Sequence, residues 1–145
     1  MKLNKIIGLC KKQKRVIIYN RRHGDGEIAE QWIGDGASCY RAEGVPILDS
    51  DSVATIFDIP AKNADKWNIL EMDLPTSYDF TDDAAESGEQ IFDEDPIFLQ
   101  YGGAMLKPLR SRGGVPLFID IRYLSPFIND MDHMYLYRRT AEGGE

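Results

Sequence analysis

Residues 15–42, which read RVIIYNRRHGDGEIAEQWIGDGASCYRA, decide the fold of this chain. The stretch contains three runs that are rich in β-branched and aromatic side chains, a composition typical of β-strands. Two turns built around GDG separate the runs, and their glycines supply the positive φ angles that tight turns need. Because short turns join antiparallel neighbours, the stretch predicts a three-stranded antiparallel meander. The predicted strands are residues 15–20, 27–33 and 37–42.

A helix precedes the meander. Leu3, Ile6, Ile7 and Cys10 are spaced as i, i+3, i+4 and i+7, which is the apolar stripe of an amphipathic helix. The periodic pattern stops near Gln13, where we place the end of the helix.

Two more short helices are predicted after the meander. Residues 49–52 (DSDS) are rich in helix-capping side chains, and apolar residues follow at helical spacing until Pro60 ends the helix. Asp120 can cap a third helix over residues 121–128, which Pro126 must bend or shorten.

Five further segments have the composition of strands. Two of them flank Gly102-Gly103, which is the signal of a two-residue hairpin. Helices and strands do not alternate regularly, so a doubly wound nucleotide-binding fold is not expected. The sequence therefore predicts an α+β fold, with a largely antiparallel sheet and three short helices. The five segments are residues 67–72, 97–101, 104–109, 115–119 and 134–138.

The domain organisation follows from length and composition. The chain has 145 residues, of which 43% are hydrophobic, and this suits one domain over residues 1–145 with a core of its own. Residues 73–95 are dominated by acidic and small polar residues, and they predict a long acidic loop. The tail at residues 141–145 is expected to be frayed.

Cysteine usage and hydropathy indicate the cellular compartment. Cys10 and Cys39 match no zinc or redox spacing and are typical of a reducing compartment, although one disulfide between them is left open. The apolar stretch at residues 6–10 is too short for a signal peptide, and no run approaches the roughly 20 apolar residues of a membrane span. We therefore expect a cytoplasmic protein without a membrane partner.

Sequence motifs for catalysis, cofactors and metals are absent. The chain has no phosphate-binding loop, no dinucleotide fingerprint and no GxSxG elbow, and neither acidic segment has the glycine and glutamate positions of a calcium loop. His23 and His133 are the only histidines, and nothing in the sequence pairs either one with a nucleophile. We expect no catalytic residue, no cofactor and no metal site, with an enzyme of unknown chemistry kept as a minor alternative.

Charge is distributed unevenly along the chain. Residues 1–22 carry eight basic residues and no acidic residue, so the rest of the chain has a net charge of −15 within the total of −7. At about 100° per residue, Lys5 and Lys12 point almost opposite the apolar stripe, and Lys2 lies near them. This asymmetry indicates an anionic partner for the first helix. A solvated helix face without a partner is the alternative.

A second basic segment lies at residues 106–114, LKPLRSRGG. Together with the first helix it predicts a surface that contacts phosphates. The alternative is an exposed hairpin whose cations prevent edge-to-edge pairing of strands. The candidate DNA-binding residues are Lys2, Lys5, Lys12, Lys107, Arg110 and Arg112.

Two segments together resemble the domains of DNA sliding clamps and small clamp-like proteins of phages and prophages. The first is WIGDGASCYR at residues 32–41, and the second is FIDIRYL at residues 118–124, which runs into MYLY at residues 134–137. The resemblance implies a βαβββ repeat whose helices face DNA and whose sheets lie outside. It also implies a protein that is not an enzyme. Because a single domain cannot close a ring, the resemblance requires either self-assembly or a role other than that of a clamp.

Two functional hypotheses follow. The first is a non-catalytic, clamp-like domain of phage or prophage context that contacts duplex DNA without sequence preference. The second is a protein-interaction module with no nucleic-acid role. In that case the acidic loop docks on a basic protein partner, or the exposed hairpin accepts a strand.

Overall fold

The computed structural model describes residues 2–74, 88–93, 96–127, 129–130 and 134–138. The chain divides into two compact units, the N-terminal unit Lys2–Pro75 and the C-terminal unit Thr76–Glu145. The α+β class is confirmed, and within these described ranges all but one of the strand pairs are antiparallel. The expectation of one domain over residues 1–145 stays a prediction.

The N-terminal unit is built on one four-stranded sheet with the strand order β3-β2-β1-β4. The predicted antiparallel meander is confirmed, since β2 pairs antiparallel with both β1 and β3. The strands are β1 (Arg15–Arg22), β2 (Ile28–Gly34), β3 (Cys39–Arg41) and β4 (Asn68–Asp73), and the helices are α1 (Leu3–Gln13), α2 (Ser50–Ile56) and a 3₁₀ helix at Ala61–Lys66.

The outer strand β4 runs parallel to β1, with Arg15 opposite Asn68 and Asn20 opposite Asp73. Parallel neighbours need a long crossover connection, and here it contains α2 and the 3₁₀ helix. The sequence predicted a strand at residues 67–72 but neither its parallel direction nor the 3₁₀ helix before it.

The core of the N-terminal unit is formed by side chains of the sheet and of both α-helices. Val16 and Ile18 of β1 are fully buried, as are Val53 in the middle of α2 and Phe57 at its C-cap. Asp49 caps α2 by accepting the backbone N–H of Ser52, whose hydroxyl accepts the N–H of Asp49 in return. The capping signal that was read from DSDS is therefore confirmed.

The second GDG turn is held by its own aspartate. Asp35 is buried, and one of its carboxylate oxygens accepts the backbone N–H groups of Ala37 and Ser38 at 3.0 and 2.9 Å. Gly36 has a φ of +95°, which favours glycine. A Cβ at Gly34 would overlap the carbonyl oxygen of Ser38, so no larger residue fits there without moving the backbone.

The C-terminal unit contains a second, antiparallel sheet with the strand order β6-β7-β5-β9, and β8 also pairs with β7. Its Gly102-Gly103 hairpin is confirmed, because Tyr101 and Ala104 are paired directly on either side of the two glycines. The strands are β5 (Glu89–Phe92), β6 (Leu99–Tyr101), β7 (Ala104–Ser111), β8 (Pro116–Asp120) and β9 (Leu136–Arg138), with a second 3₁₀ helix at Ile121–Phe127.

Two expectations for the C-terminal unit need correction. The third helix is a 3₁₀ helix rather than an α-helix, and it contains Pro126, which has no N–H group for the helical hydrogen bonds. Residues 89–92 form a strand although they fall within the predicted acidic loop, because Ile91 and Phe92 pair with β7. Most of that loop (75–87 and 94–95), His133 and the tail at 141–145 lie outside the described residues.

Candidate nucleic-acid interface

The helix α1 is fixed to the N-terminal unit by its apolar stripe. Ile6 and Cys10 are fully buried, and the helix packs against β1 and β2. It ends where Lys14 adopts a left-handed conformation with a φ of 49°, and the N–H of Lys14 donates back to carbonyl oxygens of the last turn. The predicted apolar stripe and the predicted end of the helix are both confirmed.

The opposite side of α1 carries only basic and neutral side chains. Lys5 and Lys12 lie far around the helix from the buried pair Ile6 and Cys10. In the part of the chain that the structure describes, no lysine of this helix or its two flanking residues has a carboxylate within ion-pair distance. Three of these exposed lysines, Lys2, Lys5 and Lys12, lie on the side away from the apolar stripe, and we call them the lysine face; Lys11 and Lys14 are exposed as well.

Unlike these lysines, the two arginines at the end of β1 form ion pairs. Arg21 forms an ion pair with Glu30, and its guanidinium lies 5.5 Å from the centre of the Trp32 ring. The Nε of Arg22 lies 2.9 Å from the Oδ1 of Asp73. The fold therefore pairs these two cations of β1 with its own acids, whereas it leaves the lysine face to solvent.

The structure places the other three predicted DNA contacts on β7 and the turn after it. Lys107 was expected to be exposed, but it is buried, with its Nζ 2.8 Å from the Oδ1 of Asp93 and 4.7 Å from the centre of the Phe98 ring. Arg110 is exposed and points to the other face of the strand, because it lies three residues further on. Arg112 is also exposed and lines a small cavity.

The six candidates therefore fall into two groups, one in each compact unit. Lys5 and Lys12 lie on α1 and Lys2 is its N-cap, while Lys107 and Arg110 lie on opposite faces of one strand. Sequence analysis left Lys11 and Lys14 out of the site; both are exposed near the end of α1, but they lie on a different side of it from Lys5 and Lys12. Lys11 follows Ile7 by four residues, so helical spacing places it at the edge of the apolar stripe and not with Lys5 and Lys12.

The two cysteines do not supply chemistry to this surface. Both are free, so the disulfide that the sequence left open is not formed. Burial, and then the charge of Asp35, raises the pKa of the Cys10 thiol to about 12, and burial also raises the pKa of Cys39. Both thiols are protonated at neutral pH and are therefore poor nucleophiles.

The exposed hairpin offers a second surface, in the C-terminal unit. Register places Leu99, Tyr101 and Phe118 on the same face of the sheet, and all three are exposed, Tyr101 to 78%. Docking of a protein partner at the hairpin stays a prediction. Docking through the acidic loop also stays one, because most of that loop lies outside the described residues.

No protein-family model, curated protein or solved structure matches this chain significantly. The resemblance to sliding-clamp domains therefore stays a prediction. Among the described residues, no helix is long and apolar enough to cross a membrane. The same residues contain no group of three histidine, cysteine or acidic side chains arranged to hold a metal ion.

Proposed function

We propose that this protein contacts duplex DNA without sequence preference through the lysine face of α1, and that it does so without catalysis. The observation that carries the proposal is the contrast in pairing. Five exposed lysines on and beside α1 have no acidic partner among the described residues, while Arg21 and Arg22 of the next strand are both paired.

The start of α1 is poorly suited to a helix that serves the fold alone. Lys2 stands at the N-cap and makes no side-chain capping hydrogen bond, and the first turn contains Lys5 but no acidic residue. The amino end of a helix carries a partial positive charge, so a cation there costs about 0.3–1 kcal/mol. A function for these ammonium groups outside the fold explains why they stand at the unfavourable end.

Lysine side chains are suited to binding DNA without sequence preference. A lysine ammonium is a compact charge on a flexible stem, and it meets phosphate oxygens without reading the edges of bases. Binding of this kind releases the cations that are condensed on DNA, so its affinity falls steeply as salt increases.

Affinity for a random-sequence duplex at two salt concentrations tests the proposal. If Lys2, Lys5 and Lys12 each neutralise one phosphate, the affinity falls about 40-fold between 50 and 200 mM salt. Fluorescence anisotropy with a labelled duplex measures this directly. No binding at 50 mM salt, including at protein concentrations where the chain self-associates, would contradict the proposal and favour a module that binds only proteins.

A further inference from the structure

Gly8 lies in the middle of α1, where the fold does not require a glycine. It is exposed, its φ is not positive, and a Cβ added there meets no other atom of the described chain within 4 Å. Alanine would therefore fit at this position. Because glycine is among the least favourable residues in a helix interior, its presence weakens α1.

The position of Gly8 connects it with the lysine face. It follows Lys5 by three residues and precedes Lys12 by four, so the three residues lie on one side of the helix. With no side chain at Gly8, the helix backbone is exposed in a depression between two long side chains. Along the axis the Cα atoms of Lys5 and Lys12 are separated by about 10 Å, at 1.5 Å per residue.

We propose that Gly8 is the place where the sugar–phosphate backbone of DNA comes closest to α1, with the ammonium groups of Lys5 and Lys12 on either side. This inference rests on the proposed DNA-binding function. Phosphates of one strand advance about 3.4 Å along the duplex axis, so the two lysines bracket about three of them when α1 lies parallel to that axis. A glycine permits this approach because it has no Cβ to hold a strand away.

The inference predicts opposite effects on stability and on binding. Gly8→Ala raises the thermal midpoint of unfolding, since alanine favours the helix and nothing obstructs its methyl group. The same variant binds a random duplex about two- to fivefold more weakly, the range expected when one exposed charge contact is loosened. Gly8→Gln, with a longer neutral side chain, weakens binding further.

Gln13→Ala is the matched control on the same helix. Gln13 is exposed and lies five residues after Gly8, about 140° around the helix, so the change leaves DNA affinity as it was. If the wild-type protein binds DNA and both Gly8 variants bind it as tightly as the wild-type protein does, the inference is overturned and the proposed function stands. If the wild-type protein does not bind, both are overturned.

Discussion

The Nζ of Lys107 lies 2.8 Å from the Oδ1 of Asp93, and only 10% of the Lys107 side chain is exposed. The ring of Phe98 covers the same ammonium group at 4.7 Å. This cation is therefore used within the C-terminal unit, although the sequence suggested that it meets DNA. Residue type and charge do not distinguish a lysine that contacts DNA from one that forms an ion pair within the fold. The burial of Lys107 and its contact with Asp93 do distinguish them.

The ion pair predicts an asymmetric effect on stability. Asp93→Ala removes the carboxylate that lies 2.8 Å from a buried ammonium group and should lower the free energy of unfolding by about 1–3 kcal/mol. Lys107→Met removes the buried charge and keeps an apolar chain, so it should cost less. Urea denaturation of both variants measures the difference, with the exposed Asp65→Ala as a control. Equal losses in the two variants would show that the pairing does not matter.

The buried amide of Gln31 should be important for the N-terminal unit. Its Nε2 donates to the Oδ1 of Asn20 and to the carbonyl oxygen of Leu48, and its Oε1 accepts the N–H of Leu48, all within 2.8 Å. Gln31→Ala leaves these buried groups without partners and should cost about 3 kcal/mol. Gln13→Ala, at an exposed position of α1, should change the free energy of unfolding by no more than about 0.5 kcal/mol. Similar urea midpoints for the two variants would refute this role.

Gly34 and Gly24 offer a matched test of the two GDG turns. Gly34→Ala places a methyl group against the carbonyl oxygen of Ser38, so the turn must open and the protein should lose about 3 kcal/mol or more. Gly24→Ala meets no atom of the described chain within 4 Å and should be neutral or slightly stabilising. Thermal unfolding monitored by circular dichroism compares them, and a tolerated Gly34→Ala would be inconsistent with the turn geometry.

Cys10 should make stability depend on pH in the alkaline range. Burial, followed by the charge of Asp35, raises the pKa of its thiol from 9.0 to about 12. The folded protein then keeps a proton that the unfolded chain releases, so this stabilisation is complete below about pH 9 and is lost between about pH 9 and 12. Cys10→Ala should remove part of the fall in unfolding free energy between about pH 8.5 and 10.5. Parallel curves for the variant and the wild-type protein would contradict this prediction.

Local signals in the sequence predicted much of the fold. Glycines at Gly36, Gly102 and Gly103 mark turns because the backbone there has a positive φ, and the DSDS segment caps α2. The parallel pairing of β1 with β4 was not predicted, because it depends on a register between distant segments. Residues 89–92 were also missed, because their strand is stabilised by pairing with β7 and β9 rather than by local composition.

Part of the candidate site was also predictable from the sequence, because it depends on local helical geometry. The helical period alone separates Lys5 and Lys12 from the buried stripe, so their exposure follows from local geometry. The burial of Lys107 depends on Asp93 and Phe98, which reach it from outside its own strand. Periodicity within β7 cannot show that contact.

The most direct test of the account compares two double variants that remove the same charge. Lys5→Gln/Lys12→Gln alters the lysine face, whereas Lys62→Gln/Lys66→Gln alters two exposed lysines of the first 3₁₀ helix in the same unit. The measured quantity is the slope of the logarithm of DNA affinity against the logarithm of salt concentration. We predict that the first variant lowers the magnitude of this slope by about 2 and the second leaves it unchanged. Equal slopes in both variants and the wild-type protein would contradict binding through α1.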